Sequence, residues 1–122
     1  MAIIVVAEDE FLLGDMLASL LEDVGHEVRV APHGLAALKL VRTHKPDLII
    51  TDFMMPLMTG LELAATIRAD GEMAEVPILL VSGAQGSIGR AHPEKFDAVL
   101  DKPYQAPALL KIVAELLDRK AN

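Results

Sequence analysis

Four short apolar runs each break off at polar residues, and that repetition limits the fold more than any other feature of the chain. Ile3-Ile4-Val5-Val6 leads through Ala7 to Glu8 and Asp9, and Leu48-Ile49-Ile50 leads through Thr51 to Asp52. Val76 to Val81 ends on Ser82, and Ala98-Val99-Leu100 ends on Asp101 and Lys102. Short runs that are apolar at every position, and rich in β-branched residues, suit strands covered on both faces. Such strands belong to parallel sheets with helices above and below, where ligands sit beyond the carboxyl ends.

Between the runs the period turns helical. From Glu10 the stripe Leu13, Met16, Leu17, Leu20, Leu21 and Val24 predicts an inward face, closed by Gly25. Glu27 to Ala31 alternates around Val28 and Val30, an additional strand at a sheet edge. A helix over Gly34 to His44 turns Leu35, Leu38 and Val41 inward and stops before Pro46; Arg42, His44 and Lys45 favour its negative end. A third helix follows Gly60 with Leu61, Ala64, Ala65 and Ile67, and the last begins near Pro107 with Leu109, Ile112, Val113 and Leu116. Five alternations of strand and helix, without repeat or linker, predict a doubly wound five-stranded parallel α/β sheet occupying residues 1–122 as one domain. One interval fits poorly: Gly83, Gly86, Gly89 and Pro93 interrupt the place of the fourth helix. Gly costs about 1 kcal/mol against Ala within a helix and Pro about 3, so that helix is expected to be short or mobile.

At 122 residues, 52% of them hydrophobic, the chain can bury roughly two-thirds of its unfolded surface. No apolar run approaches the ~20 residues of a membrane span, and no basic-then-apolar leader precedes the first strand. There is no cysteine, which excludes disulfides, thiolate nucleophiles and zinc–thiolate sites. The expectation is a soluble, cytoplasmic protein. A net charge of −7 with scattered basic residues argues against nucleic-acid binding, which needs a basic patch.

The predicted topology gathers Glu8, Asp9, Asp52, Ser82 and Lys102 at one edge of the sheet. Each has an ordinary alternative taken alone. Asp52 suits an Asx turn, Glu8 and Asp9 suit the positive start of the first helix, and Ser82 suits an N-cap. Lys102 suits a snorkelling surface lysine, and Met54, Met55 and Met58 suit gap filling. Together they pose a problem of charge: three neighbouring carboxylates repel unless a proton or a cation intervenes. Magnesium accepts one or two carboxylates with a carbonyl and keeps several waters.

Val5-Val6-Ala7-Glu8-Asp9-Glu10, Asp47 to Pro56, Gly60, Val81-Ser82-Gly83-Ala84 and Leu100-Asp101-Lys102-Pro103-Tyr104 stand in this order along essentially the whole chain. In that order and spacing the chain resembles the receiver domain of two-component response regulators, of the chemotaxis CheY type. The resemblance implies a flavodoxin-like sheet in order 2-1-3-4-5. It implies that Asp52 accepts a phosphoryl group from a histidine kinase or histidine phosphotransfer protein. Asp9, Asp52 and the Met54 backbone carbonyl would ligate Mg²⁺, with Glu8 acting through water. Lys102 would pair with the phosphoryl group, the Lys102–Pro103 bond would be cis, and Ser82 would donate its hydroxyl. Output would pass from the α4-β5-α5 face to a downstream target protein, and pairing with a second copy stays open.

Two departures stand out. The family carries an aromatic residue three positions before the lysine; here it is Val99, with Phe96 and Tyr104 as the available substitutes. Switching by ordering residues 83–95 is the corresponding expectation. Met54 and Ala84 flank the path of attacking water and cannot hold it by hydrogen bonds, which implies slow dephosphorylation. The last helix ends with the chain, which reads as a single-domain regulator that catalyses only its own phosphorylation and dephosphorylation. The rivals are a Mg²⁺-dependent aspartyl-phosphate phosphohydrolase and a pseudo-receiver binding module. The first wants a second acid where Met54 stands, and the complete acid set with its lysine opposes the second.

Overall fold

The computed structural model describes residues 1–121. Its elements run β1 (Ile3–Ala7), α1 (Phe11–Asp23), β2 (Glu27–Ala31), α2 (Gly34–His44), β3 (Leu48–Thr51), α3 (Gly60–Arg68), β4 (Ile78–Ser82), α4 (Gly86–Arg90), β5 (Ala98–Asp101) and α5 (Ala106–Ala121). All neighbouring strands are parallel, in the order β2-β1-β3-β4-β5. This is the expected flavodoxin-like arrangement, with β2 and β5 at the edges.

The strand period of two sorts the sheet into two cores. Ile4, Val6, Leu48, Ile50, Leu79 and Val81 face a layer built from Leu17 and Leu21 of α1 and Leu109, Val113 and Leu116 of α5. Their neighbours Val5, Ala7, Ile49, Ile78 and Leu80 face the other way, onto Ala37, Leu38 and Val41 of α2 and Leu63, Ala64 and Ile67 of α3. Each large side chain buried this way contributes about 1.5–3 kcal/mol. Among the described residues no helix is long and apolar enough to cross a membrane.

Three residues expected to face inward do not. Met16 is 63% exposed, Val24 53% and Leu35 48%. The inner line of α1 runs through Gly14, Leu17 and Leu21, which turns Met16 outward. Val24 lies beyond the helix as its C-cap. In α2 the inner place is taken by Gly34, which lies against Met58, and Leu35 turns away.

The fourth helix is short, as expected: five residues, followed by turns through Pro93. It lies flat on the sheet. A Cβ at Gly89 would run into the Leu80 side chain and meet Val99 Cγ2 at 3.0 Å. Val99 therefore lies under the backbone of α4. Phe96 belongs to the same cluster as Val99, whereas Tyr104 packs on the opposite layer.

Candidate functional site

Register brings the site together. Ala7 of β1 lies opposite Thr51 of β3, and the Asp52 N–H donates to the Ala7 carbonyl at 3.0 Å. Ser82 of β4 lies opposite Asp101 of β5, and the Lys102 N–H donates to the Ser82 carbonyl at 2.8 Å. Four strand ends thus stop together, and the residues just beyond them converge.

Asp52 is held from two directions. Its Oδ1 accepts from the Phe53 backbone N–H at 2.8 Å, and its Oδ2 accepts from Lys102 Nζ at 3.1 Å. The buried Thr51 hydroxyl donates to the Asp52 carbonyl at 2.8 Å. Close behind lies the start of α3, where the Gly60 N–H donates to the Phe53 carbonyl at 2.8 Å. A Cβ at Gly60 would run into the Asp52 carbonyl oxygen, so this approach requires glycine. The Thr59–Glu62 capping box then fixes the first turn of α3.

Lys102 bridges two acids. Its ammonium donates to Glu8 Oε1 at 3.1 Å as well as to Asp52, while Glu8 Oε2 accepts the Glu10 N–H. The side chains of Glu8, Asp52 and Lys102 are 7%, 13% and 24% exposed, so this charge cluster is largely removed from water. Burial pushes the Glu8 carboxyl up from its ordinary value, and the Asp52 charge adds to that. The Glu10 N–H and the Lys102 ammonium pull the other way and are outweighed. Burial alone would lower Lys102, but its hydrogen bonds and charge pairing with Asp52 and Glu8 prevail and hold it above the usual lysine value. Lys102 therefore stays charged at neutral pH. The Lys102–Pro103 peptide is cis, as expected.

Asp9 is exposed and completes an acidic triad: Glu8, Asp9 and Asp52 each offer a carboxylate oxygen, all within 4.8 Å of one another. Three carboxylates against one ammonium leave two negative charges uncompensated when all are ionised. An all-oxygen set of this kind, partly open to water, fits a hard divalent cation of the magnesium type. Glu8, Asp9 and Asp52 are the residues that could hold it.

Ser82 is fully buried, and its hydroxyl is engaged. It donates to Gln85 Oε1 at 3.1 Å and accepts from the Gln85 backbone N–H at 3.1 Å. Sequence reasoning missed Gln85. Its spacing of three from Ser82 was the available signal, but that spacing becomes a bond only because α4 starts where it does. The methionines divide: Met55 is buried and Met58 half-buried against the core, but Met54 is 58% exposed and fills no gap. A groove of about 860 Å³ opens from Glu8, Asp52 and Lys102 between α1 and the start of α5, walled by Leu13, Leu20 and Tyr104. Burial and the Glu8 charge raise the Tyr104 hydroxyl above its ordinary value, against the pull of Lys102.

The family described as response regulator receiver domain matches residues 4–114. The polar-differentiation response regulator DivK of Brucella anthropi is 29% identical over 116 residues, covering 93% of this chain and 94% of that protein. Among solved structures, a response regulator receiver domain protein from Clostridium thermocellum superposes with a TM-score of 0.90 at 25% identity, covering 99% of this chain and 98% of that one. The chemotaxis response regulator CheY4 of Vibrio cholerae gives 0.87 at 28% identity, with 95% and 98% covered.

Proposed function

Since this chain belongs to the response regulator receiver domain family, we propose that Asp52 takes a phosphoryl group from a histidine kinase or histidine phosphotransfer protein. The observation that carries this reading is the Lys102 ammonium shared between Glu8 and Asp52, with the Asp9 carboxylate beside them. Phosphoryl transfer asks a protein chiefly for alignment and charge neutralisation.

Here an Asp52 carboxylate oxygen attacks phosphorus as the P–N bond to the donor imidazole breaks. The electron pair leaves on that nitrogen, and the product is an acyl phosphate that water later cleaves. The Phe53 N–H and Lys102 keep the carboxylate oriented. Lys102 also offsets charge on the incoming anion, and Ser82 supplies a hydroxyl to one of its oxygens. Mg²⁺, when bound by Asp9, Asp52 and the Met54 carbonyl with Glu8 through water, supplies electrostatic stabilisation of the transferred group. Phosphorylation alters protein–protein contacts of the α4-β5-α5 face with a downstream target, in a cytoplasmic signalling protein.

The test is labelling with a small phosphodonor such as acetyl phosphate, with Mg²⁺ present or chelated. The wild type takes up hydroxylamine-labile label only with Mg²⁺. Asp52→Asn takes up none, with an unchanged circular dichroism spectrum. Continued labelling of the Asn variant would show that the acceptor lies elsewhere.

A further inference from the structure

We infer that Gln85 is a positioning residue for Ser82, and that one proton, the Ser82 hydroxyl hydrogen, is given either to the Gln85 side chain or to the anion on Asp52. This rests on the role proposed above for Ser82. A serine hydroxyl has one hydrogen to donate. In this structure it goes to Gln85 Oε1, while the oxygen accepts one bond, from the Gln85 N–H. With Ser82 fully buried, water does not reach the hydroxyl to offer an alternative. A new acceptor at the phosphoryl position therefore displaces Gln85 Oε1. The Gln85 side chain is half-buried, so water can take up the amide that is released.

The released residue matters because of its place in the fold. Gln85 is the N-cap of α4, and its carbonyl accepts the Ile88 and Gly89 N–H groups at 3.1 and 3.3 Å. Whatever anchors residue 85 anchors the only turn of that helix. The helix itself has little freedom to slide, since side chains at Gly86 or Gly89 would run into Asp101 and Leu80. It can stay seated or lift. Val99 lies beneath it, so the position three before the lysine has no aromatic ring to carry the signal from hydroxyl to helix. The Ser82–Gln85 exchange does so directly, by withdrawing one of the two bonds that tie the N-cap to β4.

The experiment is a mutant cycle read by binding of beryllofluoride with Mg²⁺, followed by ¹⁹F NMR, and by amide exchange of residues 86–91 in the unliganded protein. Gln85→Leu removes the competing acceptor and tightens beryllofluoride binding by about fivefold, the size of one ordinary hydrogen bond. It also speeds exchange in α4. Gln85→Glu keeps an acceptor and strengthens it, weakening beryllofluoride binding while preserving α4 protection. In a Ser82→Ala background Gln85→Leu has no effect, and any residual effect of Gln85→Glu reads its charge alone. If Ser82→Ala weakens binding but Gln85→Leu leaves it unchanged, the exchange is wrong while the role of Ser82 stands. If Ser82→Ala does not weaken binding, the role of Ser82 fails and the exchange fails with it.

Discussion

Helices α3 and α4 follow the strands that lead to Asp52 and Ser82, and they are anchored in opposite ways. The first has nine residues, a complete capping box and three buried apolar side chains, Leu63, Ala64 and Ile67. The second has five residues, no side-chain cap on its own N-terminus, and only Gly86 and Gly89 buried. One is held by packing; the other is held by hydrogen bonds and by the Arg90–Asp101 ion pair at 2.6 Å on the surface. Asp52 is backed by the firm helix. The Ser82 hydroxyl adjoins the loose one, and elements with few buried apolar contacts are the ones that open at low cost.

The contrast can be broken most forcefully in α3. Leu63→Ala is expected to cost about 2–5 kcal/mol in urea unfolding, because Leu63 is fully buried and its loss leaves a cavity. A cost below that range would mean that α3 is no better packed than α4. Thr59→Ala removes the capping-box hydroxyl and is expected to cost about 1 kcal/mol by the same measurement.

Arg90→Ala is expected to cost a few tenths of a kcal/mol at low salt and nothing at 1 M salt, since both partners are about half exposed. An effect matching that of Thr59→Ala would erase the difference between the helices.

Acid provides the mildest probe, because it should not discriminate between them. His26 lies at the opposite end of the sheet, where its Nδ1 accepts the Ala2 N–H at 3.2 Å. Burial, helped by the N-terminal ammonium and opposed by Asp47, holds its folded pKa below the ordinary value of 6.5. The unfolded chain therefore takes up the proton first. The contribution of His26 is complete above pH 6.5 and is lost as pH falls through the depressed folded value. Urea unfolding should show the whole domain losing stability together as this group takes up its proton. His26→Gln, which keeps an acceptor, should flatten the slope between pH 7 and 5.

Much of this was legible in the sequence because a parallel sheet has one functional edge. Once the apolar runs were assigned as strands, Glu8, Asp9, Asp52, Ser82 and Lys102 had to share it, and the structure brings Glu8, Asp9, Asp52 and Lys102 into one cluster. Met16, Val24 and Leu35 were misplaced because a helical stripe fixes a face only to within about one residue's rotation. In α1 and α2 a glycine, invisible to a hydrophobic pattern, takes the inner position. Gln85 was legible only as a polar residue three after Ser82. Its bond to Ser82 depends on a helix that starts at Gly86 and ends after five residues, with Gly86 and Gly89 held against Asp101, Leu80 and Val99. The pairing of Lys102 with Glu8 likewise follows from the register of β1 against β3 and of β4 against β5, which no local pattern encodes.

Lys102 is joined to Ser82 through the backbone and reaches Asp52 through its side chain. That reach is a flexible stem of four carbons, full of slack. Changes in where the ammonium sits are absorbed along it before they can tug on β5. Ser82, whose oxygen is a single rotation from the main chain, has no such slack. If Asp52 takes the group proposed above, the lysine is the compliant contact and the serine the short one, so displacement at the site would pass chiefly to β4.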